Sequence, residues 1–353
     1  MSCIAYKGSY NGYIRRKRRF LALLALLTVF AALTALAFGS AALSPRETAA
    51  ALLGFGSPQA HIILFHIRLP RVLTAIVAGI GLAASGCVMQ SLLKNPLASA
   101  STLGVSQGAA FGAAFAITVF NAGMQSLTPD AVSFTNPYLI FLCAFAGSML
   151  PTAAILLLAR FRRVSAEVMI LAGVALSSLF SGGTMMLQYF ADDMKIAAIV
   201  FWTFGNLGST SPRETAIMGA VTAAALVLFF ANRWNYNALQ TGENTAKGLG
   251  VETDRLRITG MLAASLTASV IVSYIGIINF IGLIAPHLMR RLVGSDYRYL
   301  LPASALSGAV LLLLSDTAAR LVLAPAVLPI GAVTTFLGAP LFLYLILRGE
   351  HRR

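Results

Sequence analysis

Charge is scarce in this sequence. Only 11% of its 353 residues are Asp, Glu, Lys or Arg, against about 25% in soluble globular domains, and only 12 residues are acidic. A chain so poor in charge and 58% hydrophobic cannot clothe a water-facing surface. The mean hydropathy of +0.80 and the long apolar runs predict an all-α polytopic membrane protein. Cysteine is nearly absent. Cys3, Cys87 and Cys143 lie far apart, two of them in apolar runs, which points to small packing residues rather than a disulfide framework or a metal site. The four histidines, His61, His66, His287 and His351, are too scattered for a metal cluster. No G-x-x-x-x-G-K-[ST] run occurs, so there is no P-loop and no ATP site of that kind. No apolar run holds a series of carboxylates for a proton or sodium relay, and no nucleophile–base constellation recommends an enzyme. The expectation is a non-enzyme that binds no cofactor itself. No cleavable signal is evident either. The apolar run after the basic Arg15–Arg19 cluster continues to about Leu43, too long for a signal h-region.

What is present is positive charge, unevenly placed. A net charge of +14 in a soluble protein would point to nucleic acid, but here topology accounts for it. Apolar spans fall at roughly 20–43, 70–93, 103–121, 137–159, 167–190, 213–231, 257–275, 276–293, 301–323 and 328–347. Ten spans put both termini on one side. With that side cytoplasmic, the outer side holds Arg46, Arg68, Arg71, Lys195, Arg213 and Arg320, and the other twenty of the 26 basic residues lie inside. Cytoplasmic loops carry such an excess, so the termini are expected in the cytoplasm of a cell membrane. The chain then divides into a basic tail (1–19), one transmembrane domain (20–347) that includes a polar loop at 232–257, and a short tail (348–353).

Local punctuation refines the spans. Asn95-Pro96 ends the second, because proline excludes the helical conformation for the residue before it. Gly104, Gly108 and Gly112 make a smooth stripe on the third, read as packing. Gly276 parts the seventh and eighth with almost no loop. Between 191 and 211, Trp202 and Phe204 precede Gly205 and Gly208, and a short interfacial helix is expected there. Asp316 is the one carboxylate deep in an apolar run, and Arg320 follows one turn later on the same face, which predicts a structural ion pair.

The longest hydrophilic segment inside the apolar series is Asn232–Arg257. Its pattern predicts two short helices, the second over Asn244–Leu249 and ended by Gly250, with Asp254 capping the next span. A passive loop is one reading. Closely spaced small and charged residues favour a docking surface.

Four stretches carry a resemblance. Residues 68–112 read RLPRVLTAIVAGIGLAASGCVMQSLLKNPLASASTLGVSQGAAFG, the polar loop holds ALQTGENTAKGLGV, residues 279–294 read NFIGLIAPHLMRRLVG, and residues 301–342 contain LPASALSGAVLLLLSDTAARLVLAPAVLPIGAVTTFLGAPLF. In this order and spacing they resemble the FecCD family of ABC-importer permeases, over about residues 20–347. The resemblance implies ten helices, with helices 2–5 and 7–10 related by an inverted repeat. It also implies a prokaryotic inner-membrane permease that works as a homodimer, or with a paralogous permease, on two ATPase subunits that bind ATP and Mg. A periplasmic or lipid-anchored binding protein delivers the substrate. Nucleic acid is not a partner; membrane lipid is.

Cargo in this family is a ferric siderophore, haem or cobalamin, and an oxyanion such as molybdate in some relatives; the leading expectation is a ferric siderophore. An ion-gradient-driven secondary transporter is the alternative from another class.

The resemblance also places site residues. ATPase coupling falls on Leu239, Thr241, Gly242, Glu243, Ala246, Gly248, Leu249 and Gly250, with Glu243 offering charge to the partner. Binding-protein docking falls on Arg68, Arg71 and Arg320, outer guanidinium groups that alternatively snorkel to lipid head groups. A pathway along the dimer axis is expected on the fifth span. Ser177, Ser178, Ser181, Gly182, Gly183 and Thr184 keep side chains short there, and Met185, Met186 and Gln188 form a softer constriction; ordinary helix packing is the competing explanation.

Overall fold

Long apolar runs can satisfy their backbone amides in a bilayer only as helices or closed barrels, and this chain takes the helical route. The computed structural model describes residues 2–39, 43–125, 133–161 and 165–350. Arg162, Arg163 and the carboxyl-terminal 351–353, all used in the charge argument, lie outside the described residues. In chain order the helices are α1 (Ser2–Ala37), α2 (Pro45–Leu52), α3 (Pro58–Ile62), α4 (Leu69–Leu92), α5 (Val105–Val119), α6 (Pro137–Phe161), α7 (Ala166–Tyr189) and α8 (Asp193–Phe204). They continue with α9 (Pro212–Ala231), α10 (Arg233–Gln240), α11 (Glu243–Gly248), α12 (Thr253–Ile275), α13 (Ile281–Val293), α14 (Tyr297–Leu321) and α15 (Ile330–Glu350). Two-residue strands, β1 (Met124–Gln125) and β2 (Ser133–Phe134), pair antiparallel.

Among the described residues, seven helical stretches are long and apolar enough to cross a membrane: Asn11–Ala37, Pro58–Leu92, Pro137–Ala159, Ala166–Tyr189, Pro212–Ala231, Thr253–Ile275 and Tyr297–Leu321. A helix lies within each of the ten expected spans, but two are shorter than a full crossing. Val105–Val119 is apolar and short. The expected span 276–293 contracts most. Its helix has 13 residues, a rise of about 20 Å against about 30 Å of hydrocarbon. The lost turn is the irregular stretch 276–280, where Gly276 and Phe280 take φ of 78° and 68°. Gly276 is pressed against the backbone of Trp202 and Gly205, which leaves no room for a Cβ.

Two further boundaries differ from expectation. The second span begins far earlier, because α3 runs through a π-helical turn (Ile63–Arg68) directly into α4. Pro70, near the start of α4, lacks the N–H that a regular ladder needs, and the wide turn before it absorbs that loss. Arg68 and Arg71 therefore lie inside a continuous helix rather than at its outer start. The basic segment before residue 20 is also helical, continuous with the apolar part of α1.

Packing centres on α4, which lies against α14, α12, α13 and α9. Gly79 meets Gly308 of α14 backbone to backbone, and Gly86 meets Gly282 of α13 so closely that neither site tolerates a Cβ. The predicted glycine stripe packs α5 on α6: Gly108 faces Gly147 and Gly112 faces Cys143. Helix α7 is the opposite case, with only 11% of its span buried.

Candidate functional site

At one end of the bundle the polar loop folds into α10 and α11, the two short helices the sequence implies. Gly242 (φ 127°) makes the turn between them and Gly250 (φ 83°) ends the second, conformations that favour glycine. Asp254 does not cap α12. It is the second residue of that helix, and the preceding Glu252 forms no side-chain cap bond. Leu239 and Ala246 are buried and hold the module down, while Thr241, Gly248, Leu249 and Gly250 are exposed. Leu249 is 68% exposed, a large apolar side chain on a protruding turn. A Cβ added at Gly248 would meet nothing within 4 Å, so the smallness of this residue has no intrachain cause.

The module is rigidly seated. Asn237 Nδ2 donates to Asp296 Oδ1 (3.0 Å) and its Oδ1 accepts from the Tyr297 amide (2.8 Å), while Gln240 Nε2 donates to the Ser295 carbonyl (3.1 Å). Tyr236 is fully buried with its ring 5.3 Å from that of Tyr297. Burial pushes the Asp296 carboxyl up, but hydrogen bonds from Arg298 and Asn237 outweigh it, and the net direction is down. Glu243 is not available to a partner in the way expected. Lys247 and Arg257 each reach its carboxylate at 3.1 Å, and Lys247 first, then Arg257 against the effect of burial, holds it below the ordinary 4.5.

The other end holds the arginines, and here the structure corrects the sequence. Arg68 and Arg320 are each only 3% exposed. Arg68 Nη1 donates to the carbonyls of Leu36 (2.8 Å) and Ala37 (3.0 Å), and Arg320 donates to those of Ala35 (3.1 Å) and Phe38 (3.0 Å). The last turn of α1 leaves these carbonyls without helical partners, and two guanidinium groups satisfy them. Neither arginine presents a free face for a docking partner. Arg320 Nε also lies 2.9 Å from Asp316 Oδ2, an ion pair whose angle is too poor for a hydrogen bond between those atoms. Arg71 Nε donates to the other oxygen, Oδ1, at 2.8 Å, a partner that sequence spacing did not reveal. Arg71 alone keeps a partly exposed side chain, 13%.

Arg71 lines a cavity of about 680 Å³ at this end. Its aromatic wall includes Tyr138, Phe141, Trp202, Phe204 and Tyr274, with Glu214 as its carboxylate, and the Phe141 and Tyr274 rings stack at 4.0 Å. The sequence signal for it was the Trp202–Gly208 stretch, read as an interfacial helix. The short helix exists as α8, but Trp202 is 8% exposed and packed in protein. The cavity itself was missed because its walls come from helices distant in sequence.

On α7, Leu171, Val174, Ser178, Gly182, Met185, Met186 and Tyr189 form one exposed stripe. Ser181 and Gln188 flank it, half-buried. Thr184 does not belong to it: the residue is 9% exposed and its hydroxyl donates to the Phe180 carbonyl (2.9 Å). Thr184 follows Gly183, which abuts the Phe111 ring of α5, on the inward side of the helix. Among the described residues no group of three or more His, Cys, Asp or Glu could hold a metal. The arrangement offers a protruding contact surface at one end and a lined cavity at the other.

Residues 26–348 match the family described as the FecCD transport family. The chain is 50% identical over 339 residues to a protein of Methanocaldococcus jannaschii provisionally named an ABC transporter permease, covering 96% of this chain and 97% of the relative. It is 36% identical over 345 residues to the hemin transport system permease protein of Yersinia pestis, covering 97% and 99%. Among solved structures, an inward-facing transporter provisionally assigned to the metal-chelate ABC type superposes with a TM-score of 0.81 at 32% identity, covering 94% of this chain and 99% of that one.

Proposed function

This chain belongs to the FecCD transport family as a multi-pass, non-catalytic ABC transporter permease of a prokaryotic cell membrane, and we propose that it carries a metal chelate, most specifically a ferric siderophore, into the cell. A binding protein delivers the chelate and two ATPase subunits power the step. The observation that carries this reading is the coupling module. It is a protruding two-helix element, seated on α14, with Gly248 and the exposed Leu249 side chain at its tip; among the described residues a Cβ at Gly248 would meet nothing within 4 Å. A gradient-driven carrier has no use for such an element. Two copies of the chain face each other across the exposed stripe of α7, whose Met185 and Met186 border the passage. Both termini and the coupling module lie in the cytoplasm. Ten crossings follow, with α5 and α13 as the short ones, sheltered by neighbours.

An inverted repeat relates α4–α7 to α12–α15. The packing supports this pairwise: α4 on α14 corresponds to α12 on α6, and α5 on α6 to α13 on α14. Docking of the binding protein centres on the rim around Arg71, with Arg68 and Arg320 bracing the fold behind it.

The test is reconstitution of the permease with its ATPase and binding protein in liposomes, offered labelled ferric siderophore, haem and cobalamin in turn. ATP-dependent accumulation of one of these, insensitive to a protonophore, is the expected result. Accumulation that collapses with the ion gradient while ATP is maintained would make the chain a secondary transporter. Selective uptake of haem or cobalamin would change the cargo and leave the mechanism standing.

A further inference from the structure

The basic amino-terminal helix is more elaborate than topology requires. Positive residues at the cytoplasmic edge orient a span by charge alone and need no fixed geometry. Here Lys17 is 6% exposed, its Nζ 4.3 Å from the centre of the Tyr13 ring and 5.0 Å from that of Tyr299. Arg15, Arg16, Arg18 and Arg19 are all exposed. At 100° per residue they fan over the face of α1 opposite Lys17. The helix becomes apolar at Phe20, so this fan sits within about a turn and a half of the hydrocarbon edge, at head-group depth.

From Lys17 a ladder of alternating cations and rings leads away. The Arg298 guanidinium lies 5.6 Å from the Tyr299 ring and 4.8 Å from that of Trp234. At the far end of the series Arg233 lies 5.9 Å from the Trp234 ring. Trp234 and Arg233 open α10, the first helix of the coupling module. Asp296, which binds Arg298 at 2.7 Å, also accepts the hydrogen bond from Asn237 of α10. Cation–π contacts hold best where water is excluded, as at Lys17.

We propose that the Arg15–Arg19 fan is a binding site for anionic phospholipid head groups of the cytoplasmic leaflet, and that the Lys17–Tyr299–Arg298–Trp234 ladder ties its occupancy to the seating of the coupling module. The fan supplies guanidinium groups at phosphate depth, and Lys17, on the opposite face, links the helix to the ladder. The cytoplasmic side rests on the topology proposed above, but binding in a nanodisc, where both faces are open, does not. The two can therefore fail separately.

The experiment uses the full-length chain in nanodiscs of phosphatidylcholine with increasing phosphatidylglycerol. Native mass spectrometry counts retained lipids, and Trp234 fluorescence, isolated by Trp202→Phe, reports on the module. Each basic group near an anionic surface contributes roughly a fivefold factor in binding, so with two or more of the four engaged, retention of phosphatidylglycerol should exceed that of phosphatidylcholine by more than about tenfold. Changing all four arginines to Gln should abolish the preference, and changing them to Lys should keep it. Lys17→Met should keep lipid retention but uncouple the Trp234 signal from lipid composition. Soluble glycerol phosphate should reproduce neither effect. Equal retention of both lipids by the wild-type chain overturns the site. A Trp234 signal that follows lipid composition equally well in Lys17→Met overturns the ladder.

Discussion

Arg71 and Asp316 stand 245 positions apart in sequence, and Arg71 Nε donates to Asp316 Oδ1 at 2.8 Å. The contact joins α4 to α14 at the arginine end of the bundle and leaves Asp316 fully buried between two guanidinium groups, those of Arg71 and Arg320. One carboxylate compensates two cations, of which Arg320 is buried and Arg71 borders the cavity.

Replacing Asp316 by Asn should therefore be costly out of proportion to its size. The amide keeps the shape but removes the charge that compensates Arg71 and Arg320. Breaking a buried pair in this way costs about 3–5 kcal/mol. The measurement is the thermal unfolding midpoint of detergent-purified protein, and an unchanged midpoint would show that water or lipid phosphate compensates the arginines instead.

Arg68→Gln and Arg320→Gln should reduce the yield of folded protein, because each leaves α1 carbonyls buried without a donor. Losing a buried hydrogen-bond partner costs about 1–3 kcal/mol. The loss should be insensitive to salt. Were these arginines docking groups only, folded yield would stay normal and association with the binding protein would fall in a salt-dependent way.

Gly248→Trp should leave folding intact, since the position opens onto free space and its backbone is helical. ATPase association and uptake should fall by about fivefold to a hundredfold, the effect of a bulky side chain on a close-packed contact that costs about 1–3 kcal/mol to overpack. Co-purification of the ATPase with the variant measures it. Normal co-purification and uptake would remove Gly248 from the interface.

Cysteine scanning of α7 should separate its two faces. Met185→Cys and Met186→Cys, on the exposed stripe, should react with water-soluble thiol reagents at rates that change with nucleotide state in the assembled importer. Thr184→Cys, turned toward α5, should react at least about tenfold more slowly, because thiolate access controls the rate. Equal rates at 184 and 185 would mean that α7 rotates in the assembly.

Glu243 gives the coupling module a pH dependence with a defined sign. Its folded value lies below the ordinary 4.5 because of Lys247 and Arg257. The stabilisation is therefore complete above that value and is lost as pH falls through the lowered folded one. A nitroxide at Thr245 should stay immobile at neutral pH and loosen only once the pH falls below the ordinary carboxylate value of 4.5. In Glu243→Gln it should be loose at every pH, and a variant as rigid as wild type would show that the ion pairs do not hold α11.

How far the sequence alone reached is clearest at these same residues. Apolar run length, glycine and proline punctuation and the lysine–arginine asymmetry are local or one-dimensional quantities. They determined the all-helical membrane class, the position of nearly every helix, the two-helix form of the polar loop and, with four ordered motifs, the family. Periodicity also put Asp316 and Arg320 on one face, since one helical turn is a local relation. Tertiary structure alone decided what a side chain faces. Arg68 and Arg320 read as outer, surface guanidinium groups because their depth along the chain is legible and their direction is not. Only the arrival of α1 beside α4 and α14 turns them inward onto its last carbonyls. The same limit hid Arg71 as a partner of Asp316, the pairing of Glu243 with Arg257, the inward turn of Thr184 and the cavity walled by Phe141, Trp202 and Tyr274. Each depends on which helices become neighbours, and in a chain of uniformly apolar helices that choice rests on the fit of small residues such as Gly86 against Gly282, a three-dimensional complementarity that no single stretch of sequence contains.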